Sequence, residues 1–289
     1  MKLTRRRFLT ISASFAAFPA HANSWQGRAF GADVSITING PSDLAKPALA
    51  EARRTIREIE QLFSLYDPAS SLSRLNNSGA LVDPGRRFLA LMRASDDAYR
   101  ITGGLFDPTV QPLWHALAEG RDLTAAQVAI GWERVSFDTD RITLDAGQSL
   151  TFNGIAQGFA TDLVVDALTR SGLTNTLVNI GEYRGVGGPW SIGLSDPDHG
   201  YFGSRALSTG AVATSSPSAL SLGSQAHILH PTARPQWSTV SVEAETATMA
   251  DALSTALVLA PRNMVGSIAR AAGLRRVTLV TFDGDLTTI

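Results

Sequence analysis

Between residues 28 and 38 apolar and polar positions alternate, placing Phe30, Val34, Ile36 and Ile38 on one face and predicting a strand. The period then lengthens. From Ser42 or Asp43, either able to cap a helix, Leu44, Leu49, Ile56, Ile59 and Phe63 form the apolar stripe of a long one. Residues 64–79 are polar and rich in turn formers, which predicts a loop. A second helix is expected from Gly85 to Ile101, stopped by Gly103-Gly104. Beyond Trp132, short β-type runs centre on Val135, Ile142 and Leu150, and a helix starts near Gly154, burying Phe159, Leu163 and Leu168. Further strands are expected at 177–180, 190–194, 206–207 and 239–242, helices at 246–260 and 262–272, and a last strand at 277–282. Strand groups interrupted by helices, without strict βαβ alternation, point to an α+β fold of mixed or antiparallel sheets with flanking helices.

Residues 1–22 stand apart from this pattern. Arg5-Arg6-Arg7-Phe8-Leu9 precedes a short apolar run from Ile11 to Phe18, and Ala20-His21-Ala22 offers a small-x-small cleavage site. This order reads as a twin-arginine signal peptide, which makes the twin-arginine translocase a partner and the periplasm the destination. Residues 23–289 then form one domain. The chain has no cysteine, so disulfides contribute nothing and a lipid-bearing cysteine is excluded. Its net charge is −1; residues 1–22 carry four basic side chains and no acid, leaving −5 on the remainder. A mildly acidic domain without basic runs is a poor match to nucleic acid.

Candidate chemistry gathers in a few stretches. The loop from Thr102 to Val110 sets Asp107-Pro108 behind a glycine pair, a tight turn that also exposes backbone. At Asn153-Gly154-Ile155-Ala156-Gln157-Gly158 a strand runs into a glycine-started helix, whose free N–H groups favour an anion, although the motif is neither GxGxxG nor a P-loop. Gly181-Glu182-Tyr183-Arg184 is a third, glycine-bracketed loop. Asp251 and Thr255 lie four apart on one helix face, roughly 6 Å apart along the axis, and both are hard oxygen donors of the kind Mg²⁺ or Ca²⁺ accepts. His227 and His230 have a spacing compatible with zinc, but Pro231 argues against a helix there and no third ligand is visible.

Taken in order, these stretches resemble the ApbE family, the FAD:protein FMN transferases. Phe63-Ser64-Leu65-Tyr66 with Ser71 to Asn76 is similar to the family's early signature. Gly104 to Val110 is similar to its Gly-x-Phe-Asp-Pro-Thr-Val loop, and Gly154 to Asp162 to its Gly-Ile-Ala-Lys-Gly-x-x-x-Asp segment. Ala213-Thr214-Ser215, His227-Ile228-Leu229 and Ala250 to Ala256 follow in family order. The resemblance implies Mg²⁺ on Asp251 and Thr255, with backbone carbonyls near Gly154 and at 252–254. It implies FAD as donor, contacted by Tyr66, Phe106, Asp107, Gly154, Gln157, Asp162, Gly181, Glu182, Thr214 and His227, with His227 also the acid–base group. The expected acceptor is a membrane flavoprotein with a periplasmic FMN-binding domain, and the export signal resembles that of the branch serving nitrous-oxide reductase maturation. Three positions depart from the pattern: Gln157 replaces a lysine, Glu182 a glycine, and His230 an aspartate. Two other readings stay open: an FAD pyrophosphatase, in which water replaces the acceptor hydroxyl, and a flavin-binding assembly protein with weak catalysis, which Gln157 and His230 favour.

Overall fold

Phe30 and Gly31 decide how the chain's first strands are joined. Both take positive φ, 51° and 78°, the geometry of a two-residue type I′ turn. The run expected as one strand is therefore a hairpin: β1 (Asn23–Ala29) and β2 (Ala32–Ile38) pair antiparallel with Ala29 opposite Ala32. The computed structural model describes residues 23–222 and 225–289, so the export segment 1–22 lies outside the described residues.

The chain continues through α1 (Ser42–Phe63), α2 (Ser71–Ser78), β3 (Ala80–Val82), α3 (Gly85–Thr102), α4 (Gln111–Glu119), α5 (Thr124–Ala129), β4 (Ser136–Phe137) and β5 (Arg141–Thr143). Then come α6 (Ala156–Arg170), β6 (Thr176–Asn179), β7 (Tyr183–Val186), β8 (Trp190–Asp196), β9 (Gly200–Leu207), β10 (Gly210–Ser215), β11 (Ser221–Leu222) and β12 (Gln225–Ala226). The last elements are β13 (Thr239–Ala244), α7 (Ala247–Leu259), α8 (Arg262–Ala271), β14 (Arg276–Val280) and β15 (Leu286–Thr288). Helix α2 occupies the stretch expected as loop. Ser70 caps it by accepting the Ser73 amide at 2.9 Å, and Gly79 ends it at φ +72°. Leu72 and Leu75 are its two buried apolar anchors, too few to announce a helix through periodicity. Residues near Leu150 form no strand: the Asn76 side chain bonds both the Leu150 amide and its carbonyl, and the Thr151 amide goes to the Pro108 carbonyl.

The main sheet runs β1-β2-β6-β7-β10-β13-β14-β15, every neighbour antiparallel. Side chains alternate across it. Val178 and Ile180 enter the core with α1, α3 and α6, while Leu177 points to the opposite face and packs with Trp190, Ile192 and Leu194 of the β8–β9 hairpin. Ala211 and Ala213 likewise face α7, and Val212 faces the hairpin. The fold is thus α+β: one eight-stranded antiparallel sheet with helices on one face and the β8–β9 hairpin on the other, plus the small sheets β3-β5-β4 and β11-β12.

Asp196 pins the hairpin to the sheet. Its buried carboxylate accepts the Asp198 and His199 amides at 2.7 and 2.8 Å and the Ser238 and Thr239 hydroxyls at 2.7 and 2.6 Å. Burial pushes its carboxyl up, but these donors outweigh it and hold the group at about 2.

Helices α6 and α7 meet at Gly158. A methyl group there would lie 2.2 Å from the Ala247 carbonyl oxygen and 2.9 Å from the Asp251 Cβ. Neither neighbour is a flexible tip, so Gly158→Ala must part the two helices. Overpacking of this kind costs about 1–3 kcal/mol. Urea unfolding of Gly158→Ala should show a lowered midpoint, and an unchanged midpoint would mean that the helices are not held at this distance.

Candidate functional site

A helix opens with four amides that have no intrahelical acceptor, and α6 and α7 satisfy one another's. The Thr246 hydroxyl accepts the Met249 amide of α7 at 3.4 Å. The Ala247 and Thr248 amides instead go to Asp162 of α6, at 2.8 and 2.9 Å. In the other direction Asp251 of α7 accepts the Gly158 amide, in the first turn of α6, at 3.0 Å. Each carboxylate therefore sits at the positive end of the partner helix.

The charge balance is uneven. Arg184 of β7 reaches Asp162 and Asp166, each at 3.0 Å. Glu182 and Asp251 are both buried, 8% and 3% exposed, and neither forms an ion pair among the described residues. Burial pushes the Glu182 carboxyl well above its usual range, repulsion from Asp251 adds to it, and the Thr214 amide opposes it. Asp251 rises to about 7, chiefly by burial, against the bond from Gly158. Burial raises Asp162 too, opposed first by Arg184. Unpaired buried carboxylates are costly, and a cation relieves the cost.

Thr255 stands one turn beyond Asp251 and carries the other expected metal donor. A Cβ on Gly154 would sit 2.9 Å from its Oγ1, so glycine is what allows the backbone entering α6 to touch this hydroxyl. Ser215 Oγ lies 2.8 Å from Ser254 Oγ and 3.3 Å from Thr255 Oγ1, and Ser254 donates to the Asp251 carbonyl at 3.0 Å. No three His, Asp or Glu side chains converge as a metal cluster among the described residues, which counts against a zinc pair at His227 and His230. A carboxylate, several hydroxyls and nearby backbone carbonyls form a hard-oxygen set that fits Mg²⁺.

Gln157 and Gly181 belong to the same neighbourhood. Gly181 holds φ +92°, and a Cβ there would strike the Gln157 amide nitrogen at 2.6 Å. That nitrogen is buried and has no hydrogen-bond acceptor among the described residues. Thr214 gives its amide to Glu182 and its hydroxyl to Ser241.

His227 is tied to this cluster through a short stretch of chain. Two residues after Ser215, the Pro217 carbonyl lies 3.2 Å from His227 Nδ1, and the Leu220 carbonyl lies 3.1 Å from it. Facing two acceptors, Nδ1 carries the proton, and Nε2 keeps a free lone pair. Burial lowers the basicity of the ring. The residue is neutral near pH 7 and equipped to take a proton at Nε2.

Three further expected residues have contacts of their own. Phe106 is packed into the main core at 5% exposure. Asp107 caps the 108–110 turn by accepting the Thr109 amide and hydroxyl at 2.8 and 2.6 Å. Tyr66 is 64% exposed on the segment after α1. A cavity of about 530 Å³ between α1, α2 and the start of α3, lined by Glu58, Gln61, Asp67, Arg74 and Arg87 among others, involves none of the expected residues. Arg184, Ser215, Thr248 and Ser254 are not among the site residues expected from the sequence. Nothing about a lone Ser or Thr marks which partner it will meet across the fold.

Residues 30–277 match the model of the ApbE family. An FAD:protein FMN transferase of Rhodobacter capsulatus is 28% identical over 291 aligned residues, covering 89% of this chain and 55% of that protein. With a second such transferase, from Vibrio cholerae, identity is 27% over 174 residues, covering 53% of this chain and 52% of that one. The chain thus spans about half the length of the curated relatives it matches. Among solved structures, the flavin transferase ApbE from Vibrio cholerae is similar with a TM-score of 0.80 at 23% identity, over 93% of this chain and 97% of that one. The ApbE protein from Thermotoga maritima is similar with a TM-score of 0.82 at 25% identity, over 92% and 96%. These likenesses in fold agree with the family model, which spans the domain from the turn after β1 to the start of β14, and the chain belongs to the ApbE family.

Proposed function

We propose that the protein transfers FMN from FAD to a Thr or Ser hydroxyl of an acceptor protein, with Mg²⁺ held at Asp251 and Thr255. The observation that carries this reading is the buried Asp251 carboxylate, without a counter-charge, one turn from a hydroxyl pressed against Gly154. Relatives named as FAD:protein FMN transferases support it. In the reaction the acceptor hydroxyl oxygen bonds to the FMN phosphorus, the pyrophosphate bond breaks, and AMP leaves. When bound, Mg²⁺ neutralises charge on the phosphate oxygens. His227 takes the hydroxyl proton at Nε2 while the Pro217 and Leu220 carbonyls hold Nδ1–H. Gln157 contributes a buried amide donor with no acceptor among the described residues, suited to a phosphate or flavin oxygen. A neutral amide there replaces the family's lysine, so binding relies on the hydrogen bond rather than on charge.

The arginine pair at Arg5-Arg6 supports export by the twin-arginine translocase and action in the periplasm. There the acceptor would be a membrane flavoprotein with a periplasm-facing FMN-binding domain, of the kind that serves nitrous-oxide reductase maturation.

Incubating the protein with FAD, Mg²⁺ and such an acceptor domain, then weighing the acceptor intact, should show an FMN-sized mass gain. Release of FMN and AMP with the acceptor unmodified would establish a pyrophosphatase instead. Flavin binding with neither product would leave an assembly protein. Replacing Arg5 and Arg6 by Lys should hold the precursor in the cytoplasm, as a blot of fractionated cells reads directly, and normal periplasmic accumulation would refute export by that route.

A further inference from the structure

We propose that His230 is a positioning residue, whose neutral ring closes the 230–233 turn, clasps it to Gly104 and thereby fixes where His227 stands. The activity part of this claim rests on the transfer reading above, and the structural part stands alone.

From Ile228 to Pro235 the chain makes no main-chain to main-chain hydrogen bond among the described residues. Side chains hold it instead. His230 Nδ1 accepts the Ala233 amide at 2.9 Å and the Thr232 amide at 3.2 Å. A nitrogen that receives two N–H donors must present its lone pair, so the proton of the neutral ring is on Nε2. The ring lies against the 104–110 loop, near the Gly104 carbonyl and the Asp107 carboxylate, and with Nδ1 taken up by the two amides Nε2–H is the donor left for Gly104. Arg234 donates to the Ala233 carbonyl at 3.0 Å and to the His230 carbonyl at 3.4 Å. Leu229, next in the chain, packs with Leu113 and Ala116 of α4.

His227 precedes this clasp by three residues, a span of at most about 10 Å, and is itself anchored through Nδ1. The two histidines therefore hold opposite tautomers, Nδ1–H at His227 and Nε2–H at His230. An aspartate at 230, the residue of the family pattern, would accept the same two amides. It has no donor for the Gly104 carbonyl, so histidine adds a bond between loops. The charged groups around the ring divide: Asp107 favours its protonation, while burial and Arg234 oppose it and hold it below the ordinary histidine range. Protonation also needs Nδ1 to give up both amides.

Nitrogen-15 NMR of the intact protein, with its histidines labelled, tests the clasp without reference to activity. The account expects Nε2–H at His230, Nδ1–H at His227, and His230 charging only below about pH 6.5. A His230 ring carrying its proton on Nδ1 at pH 7 would overturn the proposal. His230→Leu should move the His227 signals and lower kcat about a hundredfold, the scale of a misplaced group, with KM for FAD nearly unchanged. His230→Asn restores an acceptor for the two amides and should recover most of kcat. A Leu variant with parental kcat and unmoved His227 signals would also overturn it. Should the parent protein transfer no FMN, the transfer reading fails while the tautomers and the His227 shift still decide the clasp.

Discussion

The close crossing of α6 and α7 is the constraint on which the site depends. Gly158 removes the side chain that would keep the helices apart, and the gap that remains is bridged by carboxylates working in both directions. Asp162 leaves α6 to take the first amides of α7, and Asp251 leaves α7 to take an amide of α6. Because the same contact buries Asp251, a structural cap becomes a charged group in a dry setting. Thr255 is carried along on the same helix face, and Gly154 lets the chain entering α6 reach it. Packing, capping and the candidate metal donors are therefore one arrangement, and a change in helix spacing alters all three.

A second network fixes what surrounds that crossing. Asp196, at the end of β8, holds Ser238 and Thr239 at the start of β13, and Thr239 shares a hydrogen bond of 2.6 Å with Ser216. Ser216 lies between Ser215, which touches Thr255 and Ser254, and Pro217, whose carbonyl holds His227. The acid–base candidate is thus referred back to the sheet through hydroxyls and one fully satisfied carboxylate. The Asp196 carboxyl stays near 2 because every bond to it comes from a donor, whereas Asp251 rises to about 7 in the same protein. At Asp196 the donors outweigh burial, whereas at Asp251 burial outweighs the single bond from Gly158.

Periodicity made the long elements legible. α1, α3, α6, α7 and α8 all fall close to where apolar spacing, caps and glycine stops put them. What escaped was short or decided by tertiary contact: α2 has only two buried leucines, and β7 and β10 are four and six residues rich in glycine, small or polar side chains. The hairpin at Phe30-Gly31 escaped because a phenylalanine rarely takes positive φ. At the site, Asp251 and Thr255 were visible as a pair on one helix, and Gly154 as a place of close approach. Their burial, the repulsion from Glu182 and the cross-capping by Asp162 depend on elements far apart in the chain. His230 was legible only as a departure from a pattern, and its bonds give that departure a physical content.

We propose that the buried carboxyl of Asp251, which forms no ion pair among the described residues, serves a cation. Its folded value of about 7 exceeds the unfolded 3.8, so the folded state holds more protons between these values. Metal-free stability should therefore fall as pH rises from about 4 to about 7 and stay low above that. Thermal melting of the protein and of Asp251→Asn at pH 8, with and without Mg²⁺, is the most direct measurement. The parent should melt lower without metal and rise with Mg²⁺, while Asp251→Asn should melt higher without metal and gain nothing from Mg²⁺. An equal Mg²⁺-dependent rise in both proteins would contradict it.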